Sequence, residues 1–183
     1  SQYAGSSALA SYFGRANFTL LDKILLTATI RADGSSNFGP NNKWGYFPSF
    51  AVGYRLTEEP FMENLDFVSN LKIRASWGQT GNQSAPNYAY GMSLTNYQTV
   101  WGPGLLASRY ANPDLRWEPT TSINLGFDLS LFQNRIELLV DVYDNITNDL
   151  LSPLPLPLSM GSSGTGSISA PYFNLGEIQN RGF

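Results

Sequence analysis

Residues 24–56 read ILLTATIRADGSSNFGPNNKWGYFPSFAVGYRL, and this stretch decides the fold. Ile24, Leu26, Ala28 and Ile30 alternate with Leu25, Thr27, Thr29 and Arg31. Phe50, Val52, Tyr54 and Leu56 alternate in the same way with Ser49, Ala51, Gly53 and Arg55. Successive strand side chains point to opposite faces, so each run has one apolar face and one mostly polar face. The Gly, Ser, Asn and Pro cluster between them is loop chemistry. The unit reads as two long antiparallel strands joined by a polar loop.

The same pattern recurs along the chain. Tyr12, Gly14, Ala16, Phe18 and Leu20 oppose Phe13, Arg15, Asn17 and Thr19, and Leu21 to Lys23 forms a tight connection. Thr57 to Asn70 breaks the alternation, and Pro60, Phe61, Met62, Leu65 and Val68 suit a short helical turn. LKIRASWGQ (71–79), TTSINLGFDLSLF (120–132) and RIELLVDVY (135–143) alternate again, the last two joined at Gln133-Asn134. Pro153, Pro155 and Pro157 end regular pairing, since proline has no ladder donor. A last strand starts in YFNLGEIQNRGF (172–183).

About seven strands of about ten residues, with short turns at one end and long connections at the other, match outer-membrane barrels. The composition agrees. Of 183 residues, 42% are hydrophobic, 14% aromatic and only 14% charged, against about a quarter charged in soluble domains. Tyr12, Trp44, Tyr46, Tyr54, Trp77 and Trp117 stand near strand ends, where such barrels carry aromatic girdles. No run approaches the ~20 apolar residues of a membrane helix. A net charge of −3 without a basic run sets nucleic acid aside. With neither Cys nor His, thiolate chemistry, His-based triads and His-ligated metals are excluded. A soluble β-sandwich, for instance a carbohydrate-binding module, alternates in the same way, and period alone does not separate the two.

Ser11-Tyr12-Phe13-Gly14-Arg15, the run from Leu25 to Leu56, LKIRASWGQTGNQ (71–83), DLRWEPTTSINLGFDLSLFQNRI (114–136), DVYDNITNDLL (141–151) and NLGEIQNRGF (174–183) are collinear and cover most of the chain. Together they resemble the late barrel of SusC/RagA-type TonB-dependent outer-membrane transporters. The resemblance implies an antiparallel transmembrane β-barrel segment, part of a plugged barrel of about 22 strands. It implies a SusD-like surface lipoprotein lid, energy from the TonB complex, and import of oligosaccharides or peptides. It also implies a Gram-negative cell outer membrane. On this reading residues 1–183 are a single partial barrel domain, with no plug and no TonB box in this stretch, and about seven strands do not close a lumen alone. No enzymatic activity, no cofactor and no metal are expected.

Long loops outside and short turns inside make 34–43, 80–115 and 152–172 extracellular. They make 21–23, 57–70 and 133–134 periplasmic. Polar-face Arg15, Arg31, Arg55, Lys72, Arg74, Asp128, Glu137 and Asp141 are expected to face the lumen, the three acids near Arg135. The long connection carries Tyr88, Tyr90, Tyr97, Trp101 and Tyr110. These are the candidate ligand contacts, because aromatics join apolar area to a polar handle; a loop packing on its own aromatics is the alternative. Asp33 in DGSSNFGPNN (33–42) offers one carboxylate where calcium sites gather several, so a hairpin loop is the reading there. Glu58, Glu59, Glu63 and Asp66 read as a solvated turn rather than a glycosidase pair.

Overall fold

A computed structural model describes residues 6–62, 65–157 and 169–183. The strands are β1 (Leu9–Leu20), β2 (Ile24–Ser35), β3 (Trp44–Arg55), β4 (Val68–Asn82), β5 (Ser93–Thr99), β6 (Gly102–Arg109), β7 (Glu118–Leu131), β8 (Ile136–Asn148), β9 (Leu151–Pro153), β10 (Tyr172–Asn174) and β11 (Glu177–Gly182). One seven-stranded sheet runs β1-β2-β3-β4-β7-β8-β11, with every neighbouring pair antiparallel. The ribbons β5-β6 and β9-β10 lie outside it; the sequence pattern leaves β5-β6 as loop, because it lacks sustained alternation, and the strand expected over 172–183 is split into β10 and β11 around Gly176 at φ 83°.

The turns at one end are tight. Leu21 and Asp22 take φ of 52° and 56°, and the Lys23 N–H donates to the Leu20 carbonyl at 3.0 Å. Two left-handed residues in a row match the twist of the flanking strands, as type I′ hairpins do. The β7-β8 turn uses three, Phe132, Gln133 and Asn134. Between β3 and β4 the expected helical turn is two 3-10 turns, Leu56–Glu58 and Pro60–Met62. The β3-β4 ladder begins at Ser49, one residue past Pro48, which has no N–H to give.

Register fixes the faces. Ile30 pairs with Pro48 and Gly14; Val52 with Leu26 and Ala75; Leu125 with Ala75 and Val142. The resulting apolar face carries Tyr12 to Leu20, Ile24 to Ala32, Trp44 to Tyr54, Leu71 to Trp77, Ile123 to Leu131 and Ile136 to Val142, taking alternate residues. None of these positions holds a charged or carboxamide side chain. The first charge, Asp144, stands beyond Val142 and is met by Arg181 (3.2 Å) and Gln179 (2.9 Å) of β11.

Most large side chains on this face are exposed, among them Phe18, Ile30, Phe50, Ile123, Leu125 and Val142. Among the described residues no second sheet covers it. A sandwich would bury it against a partner layer, so that alternative is not the architecture. No helix among the described residues is long and apolar enough to cross a membrane, which says nothing of crossing by strands.

The buried core lies elsewhere, at the end with the long connections. Phe38, Phe47, Ala89, Leu115 and Trp117 form it, with Ala85, Tyr90, Leu151 and Tyr172 packed against them. Phe47 is paired with Arg31 and therefore belongs to the polar face, so this core is built against that face.

Candidate functional site

The polar face is assembled from Arg15, Arg31, Arg55, Lys72, Arg74, Asp128, Glu137 and Asp141. Register places all eight opposite to Val52 and Leu125: Arg15 pairs with Thr29, Arg31 with Phe47, Arg55 with Lys72, Lys72 with Asp128, Gly126 with both Arg74 and Asp141, and Glu137 with Ser130. Near mid-strand lies a groove of about 540 Å³ whose lining includes Thr27, Thr29, Ser49, Ser76, Ser122 and Asn124 and, of these eight, Arg31. Hydroxyl and carboxamide groups share it with Phe47, Phe50, Trp77 and the Arg31–Asp33 pair, while the other seven charged residues of the set lie outside its lining. Arg15 donates to Thr29 Oγ1 at 3.2 Å, and Arg31 Nε donates to Asp33 at 2.7 Å.

Toward the short turns, Arg74 joins three strands. Its Nε and Nη2 bind Asp128 at 2.9 and 2.7 Å, and Nη2 also reaches Asp141 at 3.0 Å. The guanidinium crosses β7 over Gly126. A Cβ at that position would stand 2.5 Å from Asp141 Oδ1 and 2.8 Å from Arg74 Cζ. A side chain here would make the flexible ends of Arg74 and Asp141 shift. Two of the three acids expected near Arg135, Asp128 and Asp141, thus share Arg74 instead, because cross-strand register puts Arg74 level with Gly126; Glu137 pairs opposite Ser130.

The aromatic candidates divide. Tyr88 and Tyr90 come together, ring centroids 6.4 Å apart. Tyr90 packs on the buried core, and Tyr88, left-handed at φ 54°, is exposed. The Tyr88 carbonyl accepts from Arg109 Nη2 at 3.0 Å. Tyr110 is half-buried. The backbone of Tyr97 pairs with Gly104; its side chain lies outside those described. Trp101 stands at the tip of the β5-β6 ribbon, 95% exposed, beside Val100 at 94%. The tip is held by Thr99 Oγ1, which donates to the Gly102 carbonyl at 2.6 Å and accepts from Trp101 N–H at 3.2 Å. The four whose side chains are described thus sit in different settings, Tyr90 on the buried core, Tyr110 half-buried, and Tyr88 and Trp101 exposed.

Trp117 is not in a girdle, as its place near a strand end suggests. It is 7% exposed, 5.1 Å from Phe38 and 5.6 Å from Phe47, and its indole N–H donates to the Lys43 carbonyl at 3.2 Å. It precedes β7 in the loop layer, where packing and not lipid receives it. Tyr12 and Trp44 do stack on the apolar face at 6.0 Å, as do Phe50 and Trp77.

Sequence reasoning missed the polar residues that seal the loop layer: Asn37 and Asn112, both 8% exposed, and Asn174. Asn112 Nδ2 donates to the Tyr172 carbonyl at 2.7 Å. A lone Asn in a Gly- and Pro-rich connection carries no periodic signal, so only the tertiary fold reveals it. Nearby, Asp149 raises the pKa of Arg116 above its ordinary value, by hydrogen bonding first and charge second. At the other end, the Tyr54 hydroxyl and then Lys23 hold the Glu59 carboxyl below the usual range. Glu63 lies outside the described residues. Among the described residues no group of three or more acidic side chains gathers as a metal site.

The family model described as TonB dependent receptor-like, β-barrel, matches residues 1–183. A TonB-dependent receptor P3 of Formosa agariphila is 38% identical over the whole chain, which covers 18% of that relative. The TonB-dependent receptor SusC of Bacteroides thetaiotaomicron is 36% identical over 98% of the chain, again 18% of its own length. Among solved structures, the RagAB peptide importer in its closed-closed state superposes with a TM-score of 0.85, at 31% identity, covering 96% of this chain and 19% of that one. The chain thus spans about a fifth of the length of the relatives it matches.

Proposed function

The chain belongs to the TonB-dependent receptor β-barrel family of the outer membrane, and from that premise we propose that it is a wall segment and outer-loop layer of a nutrient importer. The observation that carries the reading is the apolar face, free of charge across six strands, set against a polar face of hydroxyls, carboxamides and ion pairs. Lipid is the medium that stabilises such a face, while a polar interior tolerates the other. The apolar face meets the membrane. Arg15, Arg31, Arg55, Lys72, Arg74, Asp128, Glu137 and Asp141 face the lumen. The tight turns at 21–23 and 133–134 and the 57–70 connection are periplasmic, and the long connections are extracellular.

In this reading the outer loops capture substrate beneath a SusD-like surface lipoprotein. The TonB complex supplies the work of import, and the wall gives a rigid frame. The substrate class is oligosaccharide or peptide. The groove beside Thr27, Ser76 and Asn124, which joins hydroxyl and amide groups to aromatic surface and the Arg31–Asp33 pair, suits either, since both are rich in hydroxyl or amide groups. Exposed Trp101 and Tyr88 add stacking surface on the outer side.

The test is deletion of the full-length transporter in its own cell. Uptake of one class, starch-type oligosaccharides or casein peptides, is expected to fall, with a surface lipoprotein co-purifying from detergent extracts of the undeleted strain. A 20.2 kDa species soluble without detergent, or a deletion strain that takes up every oligosaccharide and peptide as before, would end this reading.

A further inference from the structure

We propose that Asn174 is a positioning residue whose side-chain carboxamide locks the described bases of the two long outer connections, at Arg116 and at Asp149, to one another. The proposal rests on the reading above that these connections face the ligand. The Asn174 carboxamide behaves like a peptide group inserted between strands. Its Oδ1 accepts from the Arg116 N–H at 3.0 Å. Its Nδ2 donates to the Arg116 carbonyl at 2.8 Å and to the Asp149 carbonyl at 3.0 Å. Both amide hydrogens and the oxygen are used, the full complement that geometry allows an Asn with three backbone partners.

Three of the sequence stretches that carry the family resemblance meet here. Arg116 comes from 114–136, Asp149 from 141–151 and Asn174 from 174–183, and they are far apart in the chain. A second set of contacts closes the junction. The Arg116 guanidinium holds the Asp149 carboxylate through Nε at 3.1 Å and Nη2 at 2.8 Å. The Leu151 N–H donates to Glu118 Oε2 at 2.7 Å, and the Leu175 N–H to the Leu150 carbonyl at 2.9 Å. From the junction, Leu115 on one connection and Leu151 and Tyr172 on the other enter the same buried core. Barrel ladders alone would let the connections move separately. With the carboxamide in place, opening one connection must break bonds to the other.

No ordinary substitution supplies this pattern. Leucine keeps the shape and leaves the Arg116 N–H without its acceptor and two carbonyls without their donor, which costs more than the bonds contribute net. An ionised aspartate accepts but has no donor for the two carbonyls. A protonated aspartic acid regains one O–H donor. The charged groups facing it are Arg116, Asp149 and Glu118.

The experiment is hydrogen exchange on the full-length transporter in lipid nanodiscs, corrected for intrinsic rate at each pH. Asn174→Leu is expected to raise exchange about tenfold in residues 110–117 and 149–153 together, leaving β1 to β3 unchanged. Asn174→Asp is expected to match it at pH 7 and, compared with the natural chain at the same pH, to regain part of its protection at or below about pH 4, because Arg116 holds the carboxyl ionised until then and its one O–H answers one of the two carbonyls. Faster exchange confined to residues 172–176 would overturn the coupling. An aspartate variant that stays loose at both pH values, or tight at both, would overturn the carboxamide's role. None of these outcomes depends on import, so the deletion experiment judges the importer reading separately.

Discussion

The wall and the outer loop layer solve the same folding problem by opposite means. The wall has long regular ladders and almost no buried side chain of its own; Phe18, Phe50 and Leu125 are all more than half exposed. The loop layer has only short ladders, yet it holds Leu115 at 0% exposure and Trp117 at 7%. In the wall, backbone pairing supplies the order and the surrounding medium supplies the apolar cover. In the loops, side chains from distant segments must cover one another, and carboxamides must answer the backbone groups that no ladder reaches. Regular pattern therefore marks where a chain relies on its surroundings, and irregular sequence marks where it makes its own core.

This contrast can be broken by mutation. The largest effect is expected in the loop layer: Trp117→Ala should cost about 3–5 kcal/mol of its local stability. Hydrogen exchange would register the loss in 83–117 and 149–153, with the wall's resistance to heat on a gel unchanged. A uniform loss across wall and loops would show that the two are one cooperative unit.

In the wall, Val52→Arg and Leu125→Arg should each cost ~2–4 kcal/mol near the bilayer midplane. Ser49→Arg and Asn124→Arg, on the other face, should cost far less. Folding of the intact protein into bilayers measures both, and equal tolerance on the two faces would remove the membrane orientation.

Gly126→Ala tests a tight point on the polar face and should cost about 1 kcal/mol, the low end of overpacking, because the flexible ends of Arg74 and Asp141 can shift. If the guanidinium is the obstacle, combining it with Arg74→Met should recover much of the loss. Simple additivity in the double mutant would place the clash elsewhere.

The smallest effect lies at the short-turn end. The folded Glu59 carboxyl is depressed, so its contribution is fully present above its unfolded pKa of about 4.3 and fades as pH falls through the lower folded value. Local exchange in residues 56–62 should rise in acid, and Tyr54→Phe should shift that rise to higher pH. An unshifted profile would dismiss the Tyr54–Glu59 bond, which is 2.6 Å long in the structure.

Six of the seven sheet strands, β1 to β4, β7 and β8, were legible in the sequence because each contains a sustained alternation, and a two-residue period has one physical meaning in an extended chain; β11 lies in the last strand read over 172–183, which does not alternate. Faces followed from the same pattern: Val52 against Ser49, Leu125 against Asn124. The ribbon β5-β6 was not legible, nor was the break that separates β10 from β11. Leu94, Thr95 and Asn96 show no lasting alternation, since both faces of that ribbon are exposed and neither selects for one polarity.

Of the candidate residues, the polar-face set could be placed by parity alone, but not the partners within it. Arg74 was separable from Arg135 only once register set it level with Gly126. Trp117 misled for a similar reason: a tryptophan near a strand end fits a girdle and a loop core equally well until its neighbours are known.

What the sequence determined by itself was the local periodicity, and with it strand identity, the apolar face and the short turns, because these depend on residues a few positions apart. The tertiary structure decided which distant residues meet. The Phe38–Leu115–Trp117 core, the Arg74 bridge over Gly126 and the Asn174 junction join positions tens of residues apart. Contacts at that separation are fixed by register and chain reversal together, and neither is written in any single stretch.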